Sequence, residues 1–142
     1  MILTDAVRRA LRIAYNAHHG QLDRGGVPYI FHPYHLAEQM TTEDTVIAAL
    51  LHDVAEDTPM TLELLAREGF SEAVLCALRL LTHDPAQDYM DYIAALAENP
   101  IARAVKIADL RHNSDPARLP EDNEAIRRRM EKYRRALELL GG

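Results

Sequence analysis

Apolar residues in this chain recur at helical rather than strand spacing. Val7, Leu11, Ala14 and His18 share one face of a first helix, capped by Thr4 or Asp5 and running to about His19, where Gly20 stops it. Tyr29 to Met40 reads as a short second helix with Pro33 near its start, where proline is tolerated. The strongest stripe is Val46, Ile47, Leu50, Leu51 and Val54, on a central helix opened by the Thr41-Thr42-Glu43-Asp44 cluster and continuing to Asp57. Further helices are predicted from Thr61 to about Glu68, Glu72 to Leu81, Asp88 to Glu98, Ile101 to Asn113 and Glu121 to Leu140. Gly69, Pro85, Asn99-Pro100, Pro116 and Pro120 mark the breaks. Nothing alternates with period two for long enough to demand a strand, and no repeat or long linker divides the chain. The expectation is an all-α fold: a single domain over residues 1–142, built as one compact bundle of about eight helices.

Composition narrows the function classes. With two Phe and no Trp, alanine and leucine carry the packing, which favours close helix–helix contacts. A net charge of −6 argues against a general nucleic-acid binder. The one cysteine, Cys76, lies in an apolar helical run, so a buried thiol is expected and no disulfide can form within the chain. No stretch of about 18 apolar residues and no signal-like N-terminus are present, so no membrane association and a cytoplasmic location are expected.

Chemistry concentrates in Ala48-Ala49-Leu50-Leu51-His52-Asp53-Val54-Ala55-Glu56-Asp57. On a continuous helix, His52, Asp53, Glu56 and Asp57 form one arc beside the apolar stripe. Carboxylates pressed against an apolar face are costly unless compensated, and a divalent metal is the simplest compensation. Glu56 and Asp57 also sit where the helix dipole disfavours negative charge, a local violation of the kind that marks functional sites. The competing reading is a solvated helix end. His52 and Asp53 are too few for a metal site, but His32 and Asp109, on the apolar face of Ile101, Val105 and Ala108, complete a mixed nitrogen and oxygen set. His18 is expected to be a hydrogen-bonded core histidine rather than a ligand. The last helix mixes Arg127, Arg128, Arg129, Lys132, Arg134 and Arg135 with Glu124, Glu131 and Glu138, the pattern of a solvated, ion-paired face.

The order His32 … His52-Asp53 … Asp109 resembles the HD superfamily of metal-dependent phosphohydrolases. More narrowly, Ala17 to Gln21, Pro28 to Pro33, Ala48 to Thr58 and Lys106 to Asn113 resemble the hydrolase domain of the RelA/SpoT group and its small stand-alone relatives, over about residues 5–115. The resemblance implies a helical HD domain that removes the 3′-pyrophosphate from (p)ppGpp with a divalent metal, typically Mn²⁺. It implies His32, His52, Asp53 and Asp109 as metal ligands, Glu56 and Asp57 as the catalytic acidic pair, and Asn113 as a residue near the nucleotide. Arg24, Lys106 and Arg111 are further candidates for meeting substrate phosphates. Three departures concern the nucleotide pocket. Asp23 and Arg24 stand where the family has two cations, the pattern Asp-Arg-Leu-His-Asn appears as Asp109-Leu110-Arg111-His112-Asn113, and the segment from His32 to His52 is short. Alternative substrates are ppApp, the 2′-phosphate of NADPH or a nucleoside monophosphate; an alternative class is a non-catalytic metal or nucleotide sensor. Synthetase and regulatory regions are not expected. The oligomeric state is open between monomer and homodimer.

Overall fold

The structure, a computed structural model, describes residues 1–142. Nine α-helical segments follow one another: α1 (Asp5–Ala17), α2 (Phe31–Glu38), α3 (Glu43–Leu51), α4 (Val54–Asp57), α5 (Leu62–Arg67), α6 (Glu72–Leu81), α7 (Tyr89–Ala97), α8 (Pro100–Asn113) and α9 (Glu124–Leu140). A 3-10 turn at Pro116–Arg118 and a lone antiparallel bridge between Leu22 and Pro28 complete the backbone, so the fold is all-α.

Local chemistry starts most of these helices where the sequence places them. Side chains of Thr4, Thr42, Thr61, Ser71, Asp88, Asn99 and Asn123 each accept a hydrogen bond from a first-turn N–H. Thr42 and Thr45 form a reciprocal box at the start of α3. The last helix begins at Glu124 rather than Glu121, because the cap is Asn123, whose Oδ1 accepts from Ile126 N–H at 3.0 Å. It ends at Gly141, whose left-handed backbone (φ 73°) suits a residue without Cβ.

Helix α3 is the axis of the bundle. Every residue from Val46 to Leu51 is buried, and α1, α2, α6 and α8 pack around it. A helix apolar on all sides must be enclosed in this way. One apolar cluster extends from α1 and α2 through α3 and α6 to α7, α8 and α9.

Two expectations fail here. The central helix is not continuous: it breaks at His52-Asp53, where Asp53 leaves helical geometry (φ −120°, ψ 9°). No backbone N–H of His52 caps α3; its ring Nδ1 instead donates to the Ala49 carbonyl at 2.8 Å. Cys76 is exposed, not buried. The buried face of α6 is Val74, Leu75, Ala77, Leu78 and Leu81, and Cys76 lies roughly 200° from Val74 at about 100° per residue.

Candidate functional site

The break after α3 turns His52 and Asp53 toward two other elements. From α2 comes His32, buried beside Pro33; from α8 comes Asp109, buried on the inward face with Ala108 and Leu110. One ligand atom each from His32, His52 and Asp109 lies within 4.8 Å of the others. His32 Nε2 is 2.9 Å from Asp109 Oδ1, and His52 Nε2 is 3.5 Å from the same oxygen. Asp53 adjoins this trio, its Oδ2 being 3.6 Å from His52 Nε2. The Tyr29 hydroxyl donates to Asp53 Oδ2. His18 Nε2 stands 3.2 Å from Asp53 Oδ1, off the line of a hydrogen bond, while its Nδ1 meets Gln21 Oε1 at 2.8 Å. His18 is thus a buried histidine fixed by neighbours, as expected from its apolar face.

The donor chemistry fits a divalent metal. A carbonyl only accepts, so His52 Nδ1 must carry the proton it shares with Ala49. Its Nε2 then turns toward two carboxylates. A bare lone pair there is repelled, so a cation belongs between them: a second proton in the metal-free protein, a metal ion in the loaded one. Burial disfavours the charged ring, but Asp53 and then Asp109 outweigh it and push the His52 pKa up to about 9. In His32 burial wins, and the pKa falls below its ordinary value. Asp53 is held low against burial mainly by His52 and His18, and Asp109 by Lys106 and His52. His112 was not singled out from the sequence. Its Nδ1 is 2.7 Å from His32 Nδ1, so one proton is shared between the rings and holds His32 with Nε2 toward Asp109.

Glu56 and Asp57 lie on the short α4, both exposed as residues although the surrounding elements partly desolvate their carboxyl groups. The backbone N–H of His83 donates to Glu56 Oε1, and burial, partly offset by that N–H and Lys106, raises the Glu56 pKa. The Asp57 pKa is likewise raised by burial and then by Asp53, while its backbone carbonyl accepts from Gln21 Nε2 at 2.8 Å.

Two cavities adjoin the cluster. One, of about 200 Å³, is lined by Glu56, His83, Lys106, Asp109, Lys132 and Tyr133 among others. The second, of about 260 Å³, includes Arg24, Tyr29, Arg118, Arg129 and Tyr133. Asn113 borders both; it donates to Asp109 Oδ1 and accepts from Arg118, each at 3.0 Å.

The remaining cations divide. Lys106 reaches the cluster, but its charge is committed to Asp109 Oδ2 at 3.0 Å. Arg111 does not reach it. Two residues beyond Asp109, roughly 200° round the helix, it stands on the outer face with Gln39, Met40 and Thr41. Arg118, not foreseen, takes its place from the 3-10 turn and lies 3.5 Å from Asp23. Asp23 Oδ1 also accepts from the Gly25 and Val27 N–H groups, so this carboxylate organises its loop. Arg129 and Lys132 of α9 were expected on a solvated face; Lys132 is exposed and Arg129 half-buried, and each also lines a cavity.

A family model described as HD domain matches residues 10–137. The chain belongs to the HD-domain family. Its similar relatives include a probable GTP pyrophosphokinase of Mycobacterium leprae, 36% identical over 148 residues, covering 94% of this chain and 18% of that protein. The bifunctional (p)ppGpp synthase/hydrolase SpoT of Escherichia coli (strain K12) is 34% identical over 75% of this chain and 17% of its own length. A guanosine-3′,5′-bis(diphosphate) 3′-pyrophosphohydrolase of Aquifex aeolicus is 35% identical over 74% of this chain, again 17% of its own length. This HD-domain chain therefore spans less than a fifth of those relatives. A solved structure described as a metazoan ortholog of SpoT that hydrolyzes ppGpp superposes with a TM-score of 0.79. The match covers 100% of this chain and 89% of that one at 23% identity, which establishes a shared HD-domain fold. No helix is long and apolar enough to cross a membrane.

Proposed function

We propose that residues 1–142 form one HD-type phosphohydrolase domain that removes the 3′-pyrophosphate from (p)ppGpp, using Mn²⁺ in the cytoplasm. The observation that carries the reading is the meeting of His32, His52 and Asp109 within 4.8 Å beside a cavity that contains Glu56. In this reading these three and Asp53 hold the ion. Bound there, the ion supplies Lewis-acid polarisation of the phosphoryl group and acidifies water.

The chain's own residues supply the rest. Glu56 Oε1 is occupied by the His83 N–H, which leaves Oε2 to take the proton of the attacking water. As water oxygen bonds to phosphorus and the bond to the ribose 3′-oxygen breaks, Glu56 returns that proton to the leaving oxygen. A raised pKa makes the Glu56 carboxylate a better proton acceptor, as a general base requires. Asp57 assists by orienting water. Asn113 steadies Asp109, and Arg24 with Arg118 and Arg129 offers positive charge to a second phosphate group of the nucleotide.

Purified protein with Mn²⁺ should be tested against ppGpp, ppApp, NADPH and nucleoside monophosphates. Pyrophosphate release from ppGpp, abolished by chelation and restored by Mn²⁺, is the expected result. Faster turnover of ppApp or NADPH would assign a different nucleotide to the same chemistry, and no release from any substrate would leave a binding module.

The state of His52 adds a pH prediction. A pKa of about 9 means that the ring carries an extra proton at neutrality, and metal must displace it. Metal affinity should therefore rise with pH through neutrality, by up to about tenfold per unit for one displaced proton, and level off near pH 9. Calorimetry of Mn²⁺ binding in buffers of different ionisation enthalpy should detect proton release. Affinity unchanged between pH 6.5 and about 9 would remove His52 from the ligand set.

A further inference from the structure

Helix α9 carries Arg127, Arg128, Arg129, Lys132, Arg134 and Arg135. Arg127 pairs with Asp122 at 3.0 Å, Arg128 with Glu124 at 2.6 Å, and Arg134 with Glu131 and Glu138. Lys132 breaks this pattern. The residues three and four away are Arg128, Arg129, Arg135 and Ala136, so its own helix offers no carboxylate at pairing distance. Its Nζ stands instead 4.4 Å from the Tyr89 ring centre and 5.8 Å from that of Tyr133. These faces hold the ammonium of a flexible side chain in the wall of the Glu56 cavity without neutralising it.

Charge at that cavity makes the placement consequential. Glu56 and Asp109 line it, and Asp53 and Asp57 lie close enough to Glu56 to act on its ionisation. Of the two lysines in the wall, Lys106 is ion-paired with Asp109. An entering phosphoryl group meets carboxylates on the Glu56 side, and Lys132 is the lysine whose charge is uncommitted. We propose that Lys132 is a substrate-binding residue whose ammonium holds the phosphoryl group to be cleaved, in the cavity it shares with Glu56. The inference rests on the phosphohydrolase reading and adds to Arg129 a second residue of α9, beyond the residues that carry the sequence resemblance.

The test uses Lys132→Gln, which keeps a polar stem and loses the charge, Lys132→Arg, which keeps the charge, and Arg128→Gln as a surface control. Binding of inorganic pyrophosphate to the Mn²⁺-loaded protein is measured by calorimetry, beside Mn²⁺ affinity, thermal midpoint and kcat/KM on ppGpp. Lys132→Gln should weaken pyrophosphate binding about 10–100-fold, the worth of one charge-assisted hydrogen bond. It should lower kcat/KM by a similar factor while Mn²⁺ affinity and midpoint stay at wild-type values. Lys132→Arg should recover most of the loss, and Arg128→Gln should change nothing. If wild type binds pyrophosphate and Lys132→Gln binds it within about twofold, Lys132 has no such role although the phosphohydrolase reading stands. A variant that loses metal or melts early shows a structural role and overturns the proposal. Wild type that binds no pyrophosphate overturns both readings together.

Discussion

Glu56→Gln is expected to leave the fold and the bound metal intact and to reduce turnover about 10²–10⁴-fold, the contribution of a positioned acid or base. The side chain is exposed on α4, so substitution disturbs no packing. Glutamine retains a carbonyl oxygen to accept the His83 N–H, and what disappears is the charge and basicity at Oε2. Metal content by elemental analysis, measured beside turnover, separates the alternatives. Full activity would move proton transfer elsewhere, with Asp57 next in line. Loss of metal along with activity would make Glu56 a ligand and overturn the division of labour drawn between it and the buried cluster.

The second large effect falls on Asp109, and it should appear in stability as well as in chemistry. This carboxylate is buried, with Lys106 Nζ at 3.0 Å, His32 Nε2 at 2.9 Å and Asn113 Nδ2 at 3.0 Å. Asp109→Asn removes the negative charge around which these groups are arranged and leaves the half-buried Lys106 ammonium without its partner. Breaking a fully buried pair costs about 3–5 kcal/mol and this one somewhat less, so the urea midpoint should still fall with an unchanged slope. Mn²⁺ binding and turnover should be lost together, since an amide replaces an anionic ligand. Adding Lys106→Met removes the stranded charge and should recover much of the stability without recovering metal. A single variant that still binds one equivalent of Mn²⁺ would exclude Asp109 as a ligand. An unchanged urea midpoint would mean that the Lys106 pair contributes nothing.

Much of the helical framework is set by interactions a few residues long. Thr42 and Ser71 cap the helices that follow them, and Pro100 opens α8 behind Asn99, because cap and capped N–H are near neighbours in the chain. The apolar spacing likewise places Val46, Ile47, Leu50, Leu51 and Val54 inside, and His18 with them. Cys76 shows where such reading fails: an apolar run marks a helix, but the core-facing side of α6 depends on how α3 and α8 pack against it.

The residues of the site were visible as chemical types, whereas their arrangement depends on contacts across the fold. His32 and Asp109 meet across 77 residues, and His32 and His112 across 80. The break at His52-Asp53 has the same origin. Helical periodicity favours a continuous turn there, but Tyr29 and His18 reach Asp53 from the loop before α2 and the end of α1. Arg111 and Arg118 are both arginines near Asn113; only the path of the 3-10 turn brings Arg118 to Asn113 and Asp23. Lys132 left a local trace, the absence of an acid three or four residues away, but its cavity exists only once α9 packs against α7 and α8. Sequence thus determined which segments coil and which residues can bind metal or move protons, because hydrogen-bonding caps, apolar periodicity and donor chemistry are local properties. Tertiary structure decided which of those residues share one ion-sized space, because desolvation and Coulomb energy depend on distances set by helices far apart in the chain.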